Sequence, residues 1–264
     1  MPASAALRLQ IERALENQFP SVLTPTARTI REVASTGIHE IDELLEGGLP
    51  VGAISELTGP DSSGRTSVAL AFLAQRTCDG HVCAWVDAND AFDPESAAAN
   101  GVGLKQLLWV RCQNAPAANR STVTATLAAG KEKPWSRLDQ ALRATDLLLQ
   151  AGGFAAIVLD LGSTAVEYGN RIPLATWFRY RQAADRTRCN LLVLGKMAYA
   201  QSSAAVVLEC RSQRAETAGK TVLRGFTYVV QRKRERFTTL TSITRKPPAS
   251  VWSASAPWNA ERLA

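Results

Sequence analysis

The chain has 264 residues, 46% hydrophobic and 20% charged, with a formal net charge of +6. Those values suit a globular protein with a sizeable core, and no apolar run reaches the roughly 20 residues of a membrane span. Its five cysteines (Cys78, Cys83, Cys112, Cys189 and Cys210) form no C-x-x-C pair, which disfavours a disulfide framework or a zinc site and points to reduced thiols in the cytoplasm.

Residues 5–19 space Leu7, Ile11, Ala14, Leu15 and Phe19 as on an amphipathic helix. The charges running through it are unlike a signal peptide. With the looser segment that follows, it forms an N-terminal region, 1–33, suited to contact with a partner or a second copy. Acidic residues then dominate from Glu32 to Asp61. "STGIHEIDELLEGGLPVG" predicts a short capped helix ended by Gly47-Gly48. From "AISELTG" onward, apolar strands alternate with helices. "HVCAWVD", "LLWVRC", "FAAIVLD" and "NLLVLGK" read as strands; "TSVALAFLAQRT", "SRLDQALRATDLLLQAG" and "PLATWFRYRQAADRT" read as helices. The alternation predicts an α/β fold with a mostly parallel twisted sheet flanked by helices. "QNAPAANRSTVTATLAAGKEKP" (113–134) reads as a long surface loop. Three closing segments, "AAVVLEC", "TVLRGFTYVVQRK" and "FTTLTSIT", lack intervening helices and predict an antiparallel finish. The core spans 34–246, and 247–264, with Pro-Pro, Trp252 and Trp258, reads as a flexible tail whose tryptophans suit a partner protein.

The chemistry concentrates in "GPDSSGRTS": Gly59, Asp61, Ser62, Ser63, Gly64, Arg65, Thr66 and Ser67. A strand, a glycine-rich turn and a helix make a phosphate cradle of backbone N–H groups, matching G-x-x-x-x-G-K-[ST] except that Arg65 replaces lysine. Thr66 stands at the magnesium-ligand position, and Asp160, ending "AIVLD", suits the metal's water shell. The site thus suits ATP and Mg. Arginine keeps the charge but not the shape; its planar fork is bulkier and set for bidentate contact. Asp87, Asn89 and Asp90 in "VDANDAFDP" are the candidates to orient water.

"STGIHEIDELLEGGLPVGAISELTGPDSSGRTSVAL" and "VCAWVDANDAFDP" together resemble the ATPase core of the RecA recombinase family. The resemblance extends more loosely to "VVQRKRERF". It implies a RecA-like P-loop core, with Asn89 at the water-activating glutamate position and Lys196 at the polar switch position. Asn89 cannot accept a proton at neutral pH, and loss of a general base costs about 10²–10⁴ in rate. Lys196 could bring a cation to a γ-phosphate. The two segments at the family's DNA-gripping loops, "LGSTAVEYGNRI" and "KMAYAQSSAA", are short. "QRKRERF" resembles the family's lysine-bearing strand. By period two, Arg232, Arg234 and Arg236 would share one side, able to hold DNA phosphates or to blunt an exposed sheet edge. Trp177, Phe178 and Tyr180 read as a core aromatic face, or as a stacking platform for bases.

The set of departures is similar to the ImuA family, accessory proteins of the SOS mutasome. That resemblance implies a role in DNA repair and translesion synthesis beside a Y-family polymerase-like protein and an error-prone C-family polymerase, with little or no ATP hydrolysis. The alternative is a divergent DNA-dependent ATPase or recombinase that binds single-stranded DNA and uses Lys196 with Asp87 or Asp90.

Overall fold

A computed structural model describes residues 32–112, 134–218, 222–235 and 249–255. The chain divides into two units, Met1–Arg31 and Glu32–Ala264, and every described residue belongs to the second. The expected helix over 5–19, nearly all of the loop over 113–134, Arg236, the strand expected over 237–244, and Trp258 lie outside the described residues.

A small two-stranded sheet, β1 (Val33–Ala34) with β2 (Leu49–Pro50), brackets helix α1 (His39–Leu44). The main sheet then builds by alternation: β3 (Ile54–Thr58), α2 (Arg65–Cys78), β4 (Cys83–Asp87), α3 (Pro94–Ala99), β5 (Leu107–Arg111), α4 (Pro134–Ala151), β6 (Ala156–Asp160), α5 (Val166–Gly169), α6 (Leu174–Thr187) and β7 (Asn190–Gly195). Three long strands finish it: β8 (Ala204–Ala218), β9 (Val222–Glu235) and β10 (Ala249–Ser255). The spatial order is β10-β9-β8-β3-β7-β6-β4-β5. Strands β3 to β8 pair parallel, and β9 and β10 are antiparallel. The fold is α/β with a mostly parallel sheet flanked by helices. The direction changes between β8 and β9, since β8 still runs parallel to β3.

The central strands are largely apolar because both faces are covered, with Ser55, Glu56 and Thr58 of β3 as buried polar exceptions. Helices α1, α2 and α3 pack on one face with Leu57, Trp85, Val158, Leu194, Leu208 and Val230. Helices α4 and α6 pack on the other with Ile54, Val86, Ile157, Leu191 and Val193. In α6, Trp177 and Tyr180 are fully buried there, as a core face requires; Phe178 points outward.

The tail needs correction. Residues 249–255 are not a loose extension but edge strand β10, paired from Ala249↔Gln231 to Ser255↔Gly225. Trp252 is 5% exposed and stacks on Tyr228, ring centroids 4.8 Å apart. Burial alternates along it, with Val251 and Ser253 exposed and Trp252 turned to the core, as suits an edge strand with one covered face. Trp252 is therefore no exposed anchor.

Candidate functional site

The parallel register brings the carboxyl ends of the central strands level. Thr58 lies beside Gly195, and Asp87 beside Asp160. Loops leaving such ends build the site in an open α/β sheet. Four meet here: 59–64 after β3, 88–93 after β4, 161–165 after β6, and 196–203 after β7.

The first loop has the backbone of a phosphate cradle. Gly59 (φ 149°) and Gly64 (φ 87°) hold conformations that favour glycine. Each also sits too close to its neighbours for a side chain. A Cβ on Gly59 would stand 2.2 Å from the Cys210 carbonyl oxygen, and one on Gly64 would stand 2.9 Å from the Tyr228 ring. Helix α2 starts at Arg65 without a side-chain cap, so its first N–H groups remain available to an anion. Ser63 Oγ is buried beside Gly59 without a hydrogen-bond partner. Backbone and hydroxyl therefore fit a phosphate.

Arg65 does not reach into that cradle as a free cation. Only 8% exposed, it donates from Nη1 to the Gly195 carbonyl oxygen at 2.5 Å, and its Nη2 lies 3.4 Å from Asp61 Oδ1. The same Gly195 oxygen accepts the Gly59 N–H at 3.2 Å. Lys196, next in the chain, places Nζ 3.4 Å from Asp61 Oδ2. Both cations expected at the phosphates thus pair with Asp61 of the loop itself. Thr66 is exposed at the start of α2 and Ser67 is half-buried.

Asp160 accepts the Gly162 N–H at 2.9 Å, and the Arg65 guanidinium approaches the same side of Gly162. Burial pushes its carboxyl up to about 6; the Asp87 charge adds to that, and Gly162 and Arg65 oppose it. Thr66 and Asp160 carry oxygen donors of the kind Mg takes, and the nearby Arg65 charge acts on the same Asp160 carboxylate. No group of three or more His, Cys, Asp or Glu among the described residues could hold a metal.

The water-orienting candidates are engaged otherwise. Asp87 is fully buried and accepts N–H bonds from Asn89 (3.1 Å), Ala91 (3.0 Å) and Phe92 (2.8 Å), so it shapes the loop. Asp90 turns away through a positive φ (58°) and pairs with Arg111 at 2.7 and 2.8 Å. The Arg111 guanidinium in turn covers the Trp109 ring at 4.6 Å. Asn89 is the residue facing the site, and its Nδ2 donates to Thr164 Oγ1 at 3.1 Å. It holds two loops together where a base would hold water.

The row of arginines on β9 does not form. Val207 pairs with Arg234 but its neighbour Leu208 pairs with Arg232, leaving Lys233 as the extra residue of a bulge. One extra residue sends the two arginines to opposite faces of the sheet. Arg232 is buried against α1, donating to the Leu44 carbonyl at 3.1 Å, so it is not offered to DNA. Arg234 is exposed and bonds the Gln201 carbonyl. Lys233 pairs with Glu209 at 2.7 Å.

Glu56 and Tyr199 are residues that sequence reasoning overlooked. Glu56 lies in the middle of β3, 1% exposed, and Oε1 accepts the N–H groups of Tyr199 (2.6 Å) and Ala200 (2.9 Å). Burial raises its pKa, against those two amides and Arg234. The signal was present: a carboxylate inside the apolar run "AISELTG" must meet donors. They come from the segment 196–203, which links β7 to β8 across the face of β3. Parallel connections usually take about a dozen residues or more. This shorter one lies flat, with the Tyr199 ring tight against Gly169 and Gly195, where a Cβ would come within 2.3 and 2.6 Å of it.

The family model of the RecA N-terminal domain matches residues 4–122. The RecA protein of Nostoc sp. is 42% identical over 99 residues, 38% of this chain and 28% of that protein. The RecA protein of Nostoc punctiforme is 43% identical over 99 residues, with the same shares. The RecA protein of Deinococcus radiodurans is 33% identical over 152 residues, 57% of this chain and 36% of that protein. The matched stretch thus spans about a third of these relatives' length, and the similarity is RecA-like over that part of the chain.

Proposed function

We propose that the protein is a RecA-like DNA-repair accessory factor that binds partner proteins and does not turn over ATP. The observation that carries this reading is the state of the three residues after β4. The one at the water-activating position is an amide bonded to Thr164. The neighbouring carboxylates are engaged, Asp87 with three backbone amides and Asp90 with Arg111. An ATPase needs a group able to orient or deprotonate water in reach of the γ-phosphate, and none of the three offers one. The P-loop backbone and the unpaired Ser63 hydroxyl support retained phosphate binding without hydrolysis. Among the described residues no helix is long and apolar enough to cross a membrane.

Within that role we propose an SOS and translesion-synthesis setting, on the resemblance to the ImuA family read from the sequence, with a Y-family polymerase-like protein and an error-prone C-family polymerase as partners. DNA contact would fall to Arg234 rather than to a three-arginine row. Steady-state ATPase measurements with single-stranded DNA test the central reading: no turnover above background is expected. Turnover abolished by Asp160→Ala would overturn it. Co-purification with the polymerase-like partner tests the setting separately.

A further inference from the structure

We infer that Arg65 is an internal latch that holds the 196–203 crossover in one position whether or not nucleotide is bound. This deepens the preceding reading, since it concerns the regulation of the same site and rests on its lack of turnover.

The latch is a set of bonds converging on the end of β7. The Gly195 carbonyl receives Gly59 N–H from one end of the P-loop and the Arg65 guanidinium from the other. Lys196 and Arg65 both pair with Asp61, tying the loop's outer rim to the first crossover residue. Further along, Glu56 holds Tyr199 and Ala200, and Arg234 holds the Gln201 carbonyl. The Tyr199 ring sits against Gly169, so the segment after β6 is tied into the same array. Each tie is made by this chain alone. A buried guanidinium with a carbonyl as acceptor is costly to leave unpaired, so Arg65 resists displacement by an incoming phosphate.

A segment responds to a ligand only if the ligand binds its two positions with different affinity. Here one position is bonded at Gly195, Lys196, Tyr199, Ala200 and Gln201 by groups of this chain itself. The crossover therefore carries no nucleotide signal, and any surface it presents to a partner stays constant.

Hydrogen–deuterium exchange on the full chain tests this, with and without MgATP. In the wild type, peptides covering 197–203 should exchange alike under both conditions. In Arg65→Ala they should exchange at least about tenfold faster, while β4 and β6 peptides remain within about twofold. Arg65→Lys keeps a charge but not the fork, and should fall between; it decides the matter if the alanine variant loses its circular-dichroism signature. Wild-type exchange at 197–203 in a folded Arg65 variant overturns the latch. So does a change of more than about threefold on adding MgATP to the wild type. Neither result bears on whether ATP is hydrolysed, so the latch can fail while the non-catalytic reading stands.

Discussion

The loop after β3 and the loop after β4 leave the same end of the sheet, with two strands between them, yet only one offers the chemistry its position calls for. The first works through backbone N–H groups and two glycines pressed against Cys210 and Tyr228. The second would work through a carboxylate, and its carboxylates shape the loop or pair with Arg111. Backbone donors survive as long as the turn folds, and the turn is held by packing that the fold needs for other reasons. A catalytic side chain has no such support from packing.

The largest expected effect breaks the supported half from behind. Trp252 stacks on Tyr228, whose ring lies against Gly64. Trp252→Ala should cost about 4 kcal/mol in urea unfolding, the usual range for emptying a buried aromatic site. A change under about 1 kcal/mol would mean that β10 is dispensable and the loop is braced elsewhere. Gly59→Ala comes next, at about 3 kcal/mol, because the new methyl meets a backbone carbonyl that cannot swing aside. If unfolding shows less than about 1 kcal/mol, the close contact with Cys210 is not what fixes the turn.

An effect of similar size, about 3 kcal/mol, separates the halves by pH. The Asp160 carboxyl is raised from 3.8 to about 6 by burial. The folded state then holds a proton that the unfolded state has released, so stability from this group is full below about pH 4 and is lost as pH rises through 6. Asp93 and Glu209 are shifted downward and act in the opposite sense, Asp93 through Ser96 and Glu209 through Lys233. Comparing Asp160→Asn with wild type isolates the one contribution. The difference between their midpoints should grow between pH 4 and 6; parallel curves would sink the assignment, and about 1.4 kcal/mol per pKa unit sets the scale.

Much of this was legible in the amino-acid pattern, and the misses have physical causes. The alternating strands and helices and the P-loop turn follow from apolar periodicity and glycine placement. The arginine row failed because a bulge at Lys233 changes the face of everything beyond it, and no glycine marks that bulge. The tail pattern misleads because Pro247-Pro248 suggests a break, whereas β9 offers an edge that 249–255 fills. Glu56 went unused because its donors arrive from a segment 143 residues away.

The smallest expected effect bears on whether one side chain is enough to restore the weaker half. Asn89→Glu returns a carboxylate to the position facing the site, and a general base alone can be worth about 10²–10⁴ in rate. It should nonetheless raise ATP turnover by less than about tenfold, or 1.4 kcal/mol of barrier. The base would face phosphates that Arg65 does not hold, since its guanidinium is bonded to Gly195 and Asp61. Losing the Asn89 amide also frees Thr164, so the loop after β6 would no longer be tied to the base. Rate restoration therefore requires at least Arg65→Lys together with Asn89→Glu. Steady-state assays of both single variants and the double variant check this, and a hundredfold gain from Asn89→Glu alone would show that the two loops fail independently.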